Sequence, residues 1–362
     1  MRIGTVREIK TLEFRVGLTP EGVAELVSHG HQLFVESGAG AGIGLTDDAY
    51  RAAGATVLAD PKSVFDKSEL IVKVKEPQAM EIAMLRPDHT LFTYLHLAAD
   101  RQQTLGLMKS GATCVAYETI TDRDGRLPLL APMSQVAGRM ATLVAAQYML
   151  KPFGGRGLLM PGVPGVPGAK VAILGAGVSG MHAAEIAVGM RADVTMFDIS
   201  AGRLAAVDSA FSGAVKGVHS SRKALLDLLP HTDAVIGCVL VAGAAAPKLI
   251  RREDLKLMKP GAVLVDVAID QGGCFETSQP TTHDKPVFTV DGIIHYCVAN
   301  MPGAAPLTST YALTAVTLPF VLRMAGQGVE AALAADPHLR DGLNVQAGRV
   351  THPAVQQVMD AA

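Results

Sequence analysis

The sequence predicts an α/β protein of two doubly wound domains, one of them discontinuous. Three features of its 362 residues carry that expectation. Short apolar runs rich in β-branched residues alternate with helical patterns, the mark of βα units on a mainly parallel sheet. One such run, Val171–Leu174, enters a glycine turn that opens a helix. The length calls for about two domains at ~100–200 residues each.

Arg2–Val6 reads as the first strand. Pro20–His29 reads as a helix started by Thr19, with proline at its first position, and His31–Glu36 as the next strand. The following Ser37-GAGAGIG-Leu45 reads as a surface loop, because it lacks the Lys-Ser/Thr ending of a P-loop. Leu70–Val74, Thr90–Tyr94 and Thr113–Tyr117 are strand-like, and a helix covers about Ser134–Leu150. The Pro/Gly-rich segment Met160–Ala169 leads into Val171–Leu174. Ala234–Cys238, Val263–Asp266 and Val287–Val290 continue the second domain as strands. After about Leu307 the chain is helical over Ser309–Ala325 and then loses strand character. This tail is too short for a third domain and is expected to return to the first. The expected boundaries are 1–128 with 307–362 for a substrate domain, and 129–306 for the other.

That second domain opens as strand, Gly175-Ala-Gly177-Val-Ser-Gly180, helix, strand Val194–Phe197 and finally Asp198. Each part has a task in holding a dinucleotide. Gly175 permits a tight turn, Gly177 lets backbone approach a pyrophosphate, and Gly180 lets helix pack on strand. The helix N-terminus offers N–H groups to the phosphate charge. Asp198 follows Gly180 at close to the roughly 20 residues expected of a carboxylate that accepts from ribose hydroxyls. A carboxylate there repels a 2′-phosphate, so the expected cofactor is NAD rather than NADP, on a Rossmann-type domain.

Composition narrows the classes. Hydrophobic residues make up 49% and charged residues 18%, with a mean hydropathy of +0.29. Large cores are implied, and the low charge suggests that some surface is covered in a homo-oligomer. A formal net charge of −2 gives no reason to expect nucleic acid or an anionic membrane as partner. Cys114, Cys238, Cys274 and Cys297 show no metal-binding or CxxC spacing and read as reduced, buried thiols. The N-terminus lacks a signal-like apolar core, and Ala234–Pro247 is too short and glycine-broken for a membrane span. A cytoplasmic protein is expected.

The polar residues to weigh stand at strand ends or in loops of the first domain or near the glycine turn's sheet. Lys73 and Lys75 alternate with valines, so both fall on one face, which is either a solvated edge or an ammonium pair at a strand's carboxyl end. His96, in LFTYLHLAAD, is either a hydrogen-bonded core histidine or a group that moves protons near neutral pH. Arg15, before the first helix, is an ordinary exposed arginine or a bidentate grip on a carboxylate. Asp270 follows the Val263–Asp266 strand and precedes two glycines, well placed for a nicotinamide, whereas Asp266 reads as structural.

With these segments in view, the chain closely resembles bacterial alanine dehydrogenase, a family related to the NAD-binding part of proton-translocating transhydrogenase. The likeness rests on RVGLTPEGV, VESGAGAGIG, KVKEP, LFTYLHLA, APMSQVAGRMA, ILGAGVSG, VDVAIDQGGCFET and HYCVANMPGA. It implies reversible oxidative deamination of L-alanine to pyruvate and ammonium, with hydride passed to NAD. It assigns catalysis to His96 and Asp270, and substrate binding to Arg15, Lys75, Met133 and Asn300. It assigns the cofactor to Ser134, Gly175, Gly177, Val178, Ser179, Gly180, Asp198, Arg203, Ser220, Val239, Leu240, Val267, Asp270, Val298, Asn300 and Met301. It also implies a hexamer. The sequence departs from the family at Gln279 and Leu307, where a basic residue is common, which bears on NAD affinity. The metal-binding acid and histidine of some members have no counterpart in Val321–Val329, so no metal is expected. A hydride-exchanging transhydrogenase-like subunit, an inactive NAD-binding protein and a saccharopine-type dehydrogenase are the rival readings.

Overall fold

The computed structural model describes residues 1–239 and 246–360. They divide into two compact units, Met1–Met133 with Ala305–Ala362, and Ser134–Ala304. The division falls at 133/134 and 304/305. Up to Met133 the chain stays tied to the first unit: the Tyr94 hydroxyl donates to the Leu129 carbonyl at 2.6 Å, and Arg15 Nη1 donates to Met133 Sδ at 3.1 Å.

Six strands open the first unit: β1 (Arg2–Thr5), β2 (Gln32–Glu36), β3 (Thr56–Leu58), β4 (Leu70–Val72), β5 (Thr90–Thr93) and β6 (Thr113–Ala116). Seven belong to the second: β7 (Lys170–Leu174), β8 (Asp193–Asp198), β9 (Val215–His219), β10 (Ala234–Gly237), β11 (Val263–Asp266), β12 (Val287–Val290) and β13 (Ile293–Tyr296). The chain then returns to the first unit with β14 (Leu343–Gln346) and β15 (Arg349–Val350).

The sheet orders are β15-β14-β6-β5-β4-β1-β2-β3 and β12-β13-β11-β10-β7-β8-β9. When only the parallel strands of each unit are numbered, both sheets contain the order 3-2-1-4-5-6 of the doubly wound nucleotide-binding fold, with β14 and β15 in one and β12 in the other added antiparallel at one edge. Strand order reverses between β1 and β4 in one sheet and between β7 and β10 in the other. Ligands of open α/β sheets bind outside the carboxyl ends of strands at such a reversal.

Helices cover both faces of the second sheet, so its central strands are apolar on both sides. Val171 and Ile173 of β7 join one core with Met196, Ile236 and Val265, while Ala172 and Leu174 join the other with Phe197, Val235 and Leu264. This is the two-residue alternation of a strand buried twice. The first unit has its own core, including Val6, Phe65, Ile71, Leu91 and Val345. All four cysteines are buried and free. Thr19 caps the helix Pro20–Ser28 by accepting from the Gly22 N–H.

The tail corrects one expectation. It is helical over Pro306–Gln327, but β14 then pairs antiparallel with β6 and turns back into β15. The hairpin turns on Ala347 and Gly348, both left-handed at φ 47° and 76°, the geometry of a two-residue I′ turn. Alanine in place of Asn or Asp, and strands this short, leave little pattern in the sequence. β3, β9 and β13 are further strands without a clear sequence signal. No single helix among the described residues is long and apolar enough to cross a membrane; Pro306–Gln327 and Val329–Ala335 meet both conditions only together, across a 114° bend.

Candidate functional site

In the first unit the reversal between β1 and β4 gathers three of the expected residues with their supports. Arg15 lies in the loop after β1 and is 2% exposed, not a surface arginine. Its Nε and Nη2 donate to the two oxygens of Glu13 at 2.7 and 2.5 Å, a forked pair that orients the guanidinium. Burial works against the Arg15 charge, but Glu13 outweighs it and raises the pKa above the ordinary value. Nη1 reaches Met133, itself buried.

β4 stops at Val72, and both lysines beyond it are buried, which removes the solvated-edge alternative. The reason is topological: β4 is a central strand, so the chain leaving it passes through the core before reaching water. Lys73 is 0% exposed, and its Nζ lies 3.0 Å from Glu8 and 2.7 Å from Glu81. Burial alone would depress the Lys73 pKa, yet the two carboxylates hold it above the ordinary lysine value. Glu8 also accepts from the Val74 N–H at 2.7 Å, so the cluster fixes the backbone just before Lys75. Lys75 Nζ sits 3.3 Å from Glu76 Oε2, an ion pair without hydrogen-bond geometry. Lys10 bonds the other oxygen of Glu76.

His96 follows β5. Its ring is exposed and parallel to that of Tyr94, with centroids 5.8 Å apart and an angle of 7°. The core-histidine alternative is therefore excluded. Its backbone is left-handed, at φ 50° and ψ 37°.

In the second unit the glycine turn joins β7 to the helix Val178–Gly189. Gly175 has φ 101°, a conformation open to glycine. A Cβ on Gly180 would lie 1.9 Å from the Gly175 carbonyl oxygen, so helix and strand can pack this closely only with glycine there. A Cβ on Gly177 would meet nothing within 4 Å. The turn is thus tight on its protein side and open at Gly177, and Gly177 caps the helix without a side chain over its N–H groups. Val178 is exposed and Ser179 half-buried. These features fit a dinucleotide pyrophosphate.

Most of the other expected residues lie at carboxyl ends of the same sheet. Asp198 ends β8; its oxygens accept from the Ala176 and Ser200 N–H groups, each at 2.8 Å, and Arg203 Nη1 stands 3.5 Å away. Ser220 follows β9, half-buried, and its N–H donates to the Asp198 carbonyl. Val239 follows β10, and Leu240 lies outside the described residues. Val267 and exposed Asp270 follow β11. Buried Asp266 holds the segment beyond them, accepting from the N–H groups of Ala268 and Cys274 and from the Ser278 hydroxyl at 2.5 Å. Val298, Asn300 and Met301 follow β13; Val298 and Met301 have their side chains in the core, and Asn300 takes a left-handed φ of 67°. Ser134 is half-buried in the helix Ala131–Tyr148. Gln279 and Leu307 are exposed.

Glu13, Glu8 and Glu81 support these residues through their side chains, Glu118 through the Leu95 and His96 N–H groups, and the sequence reading did not single them out. Glu13, two residues before Arg15, was findable as an acid beside a buried cation. The others act across the fold and leave no local pattern.

Comparison with known proteins matches the same layout. Residues 4–137 fit the model of the alanine dehydrogenase/PNT N-terminal domain, and 141–353 that of the C-terminal domain. An alanine dehydrogenase of Halomonas elongata is 56% identical over 357 residues, covering 99% of this chain and 96% of that protein. One of Bacillus subtilis is 51% identical, covering 98% and 94%. A solved L-alanine dehydrogenase superposes with a TM-score of 0.96 at 47% identity, covering 100% and 99%. A transhydrogenase of Sinorhizobium meliloti gives 0.83 at 26% identity, covering 98% and 100%. With both domain models matched and half of all residues shared along the whole chain, this protein belongs to the alanine dehydrogenase/PNT family.

Proposed function

We propose that this protein is an NAD-dependent L-alanine dehydrogenase that interconverts L-alanine, NAD⁺ and water with pyruvate, ammonium, NADH and a proton. The observation that carries the reading is the whole-chain identity with alanine dehydrogenases, at about half of all residues, in a chain that keeps Arg15, Lys75, His96 and Asp270 at carboxyl ends of its parallel strands.

Arg15, its guanidinium oriented by Glu13, binds the substrate carboxylate, and Lys75 the carbonyl oxygen of pyruvate; Met133 and Asn300 complete the substrate contacts. Such positioning can supply much of a rate enhancement. When bound, the nicotinamide of NAD⁺ supplies the hydride acceptor for the α-carbon. The glycine turn holds the pyrophosphate, and Asp198 accepts from the adenosine ribose and disfavours a 2′-phosphate. Ser134, Val178, Ser179, Arg203, Ser220, Val239, Val267, Val298, Asn300 and Met301 line the cofactor, as does Asp270. His96 takes a proton from the water that adds to the substrate's iminium carbon and gives one to the departing nitrogen, with Asp270 as the second proton-moving group. An imidazole suits both transfers near neutral pH. We further read the active form as a cytoplasmic homo-oligomer, a hexamer.

His96→Ala tests the chemistry apart from binding. The expected result is turnover lowered about 100-fold or more, within the ordinary range for a general acid–base, with NADH binding by fluorescence unchanged. Unchanged turnover removes His96 from the mechanism.

A further inference from the structure

We propose that Glu118 is the positioning residue that aims His96, a role that rests on the reading of His96 as the proton-moving group. A left-handed backbone is unfavourable at a residue with a Cβ, and it persists where surrounding structure over-determines it. Glu118 supplies that constraint. Its Oε1 accepts from the His96 N–H at 2.6 Å and from the Leu95 N–H at 3.1 Å, while Oε2 lies 3.2 Å from the same Leu95 nitrogen. One carboxylate thus gathers two successive N–H groups in charge-assisted hydrogen bonds, the stronger kind.

The fold brings them together because β5 and β6 are parallel neighbours. The segment after Thr93 and the segment after Ala116 therefore leave the sheet side by side. Other groups complete the hold on the turn. Gln103 Nε2 donates to the Leu95 carbonyl at 2.8 Å, and the Ala99 N–H to that of His96 at 3.0 Å. The helix Pro353–Asp360 packs against Leu97–Ala99, and Arg101 Nη1 donates to the Met359 carbonyl. Among the described residues Glu118 bonds the backbone of His96 and not its ring, so the imidazole stays exposed while its Cα–Cβ direction is set. Removing the carboxylate frees the turn to relax out of the left-handed region and swings the ring away.

The experiment is a double-mutant cycle in the full-length protein, with kcat, the KM for L-alanine, NADH binding and thermal midpoint measured for each variant. Glu118→Ala should lower kcat about 10- to 100-fold, the effect of a catalytic group displaced by about 1 Å, with NADH binding unchanged. In the His96→Ala background the same substitution should cost nothing further, because residues acting through one group are not additive. Glu118→Gln keeps an Oε1 acceptor and should restore most of kcat. If Glu118→Ala does not fold, Glu118→Gln replaces it in the cycle, and its smaller loss must likewise vanish without His96. Losses that multiply in the double variant, or an unchanged kcat in Glu118→Ala, overturn the positioning role. Full turnover of His96→Ala alone overturns the reading of His96, and this role with it.

Discussion

A lysine in an apolar run looks alike in sequence whether it meets water or a buried carboxylate, and Lys73 and Lys75 show what separates the two. Lys73 meets Glu8, 65 residues away, and Glu81 because β4 is central to its sheet, whereas Lys75 pairs with its neighbour Glu76. Glu76 has the clearest consequence for stability. Burial pushes its carboxyl up, but Lys75 and then Lys10 outweigh that and pull its pKa from an ordinary 4.5 down to about 2. A carboxyl depressed by folding contributes stability above its unfolded pKa, and loses it as pH falls through the folded one. Urea titrations between pH 7 and 2 should therefore show stability falling from about pH 4.5 toward 2 in the wild type. Glu76→Gln should be less stable at neutral pH and flatter through that window. Parallel curves for the two proteins would mean that the lysines give Glu76 no net stabilisation.

Among elements, the strand–turn–helix of β7 was the most legible, since each glycine answers to a separate local demand. The structure separates those demands into a testable pair. Gly180→Ala places a Cβ against the Gly175 carbonyl and should lower the thermal midpoint as well as NADH affinity. Gly177→Ala places a Cβ in open space, so the midpoint should hold within a few degrees while NADH binding weakens about tenfold, roughly 1.4 kcal/mol. Equal NADH binding by wild type and Gly177→Ala would take the pyrophosphate away from this turn. The β14–β15 hairpin was the least legible element. Its strands pair at the sheet edge, and its I′ turn uses alanine where Asn or Asp would have signalled it. Glu118 was hidden for a similar reason: its bonds to Leu95 and His96 depend on which strands are neighbours, and local pattern does not carry that.

At the scale of the whole molecule, one order, 3-2-1-4-5-6, occurs in both sheets, and the described candidate residues cluster beyond the carboxyl ends of the strands that form it. Alternating βα patterns made the α/β class readable. Strand order was not readable from pattern alone, because it depends on crossovers; the family resemblance supplied residue roles rather than that order. Arg15, Lys75 and His96 were ambiguous one by one; burial of the first two beside carboxylates and exposure of the third on a left-handed turn give each a distinct physical setting. The central claim, oxidation of a small amino acid by NAD⁺, is tested most directly by absorbance at 340 nm. Purified protein would be given NAD⁺ with a panel of amino acids, and NADH with pyruvate and ammonium. Fast turnover with L-alanine and in the reverse direction, little with larger amino acids and little with NADP⁺, is the predicted result. Tight NADH binding without turnover on any amino acid would contradict it and favour a protein that exchanges hydride with another dinucleotide or only binds one.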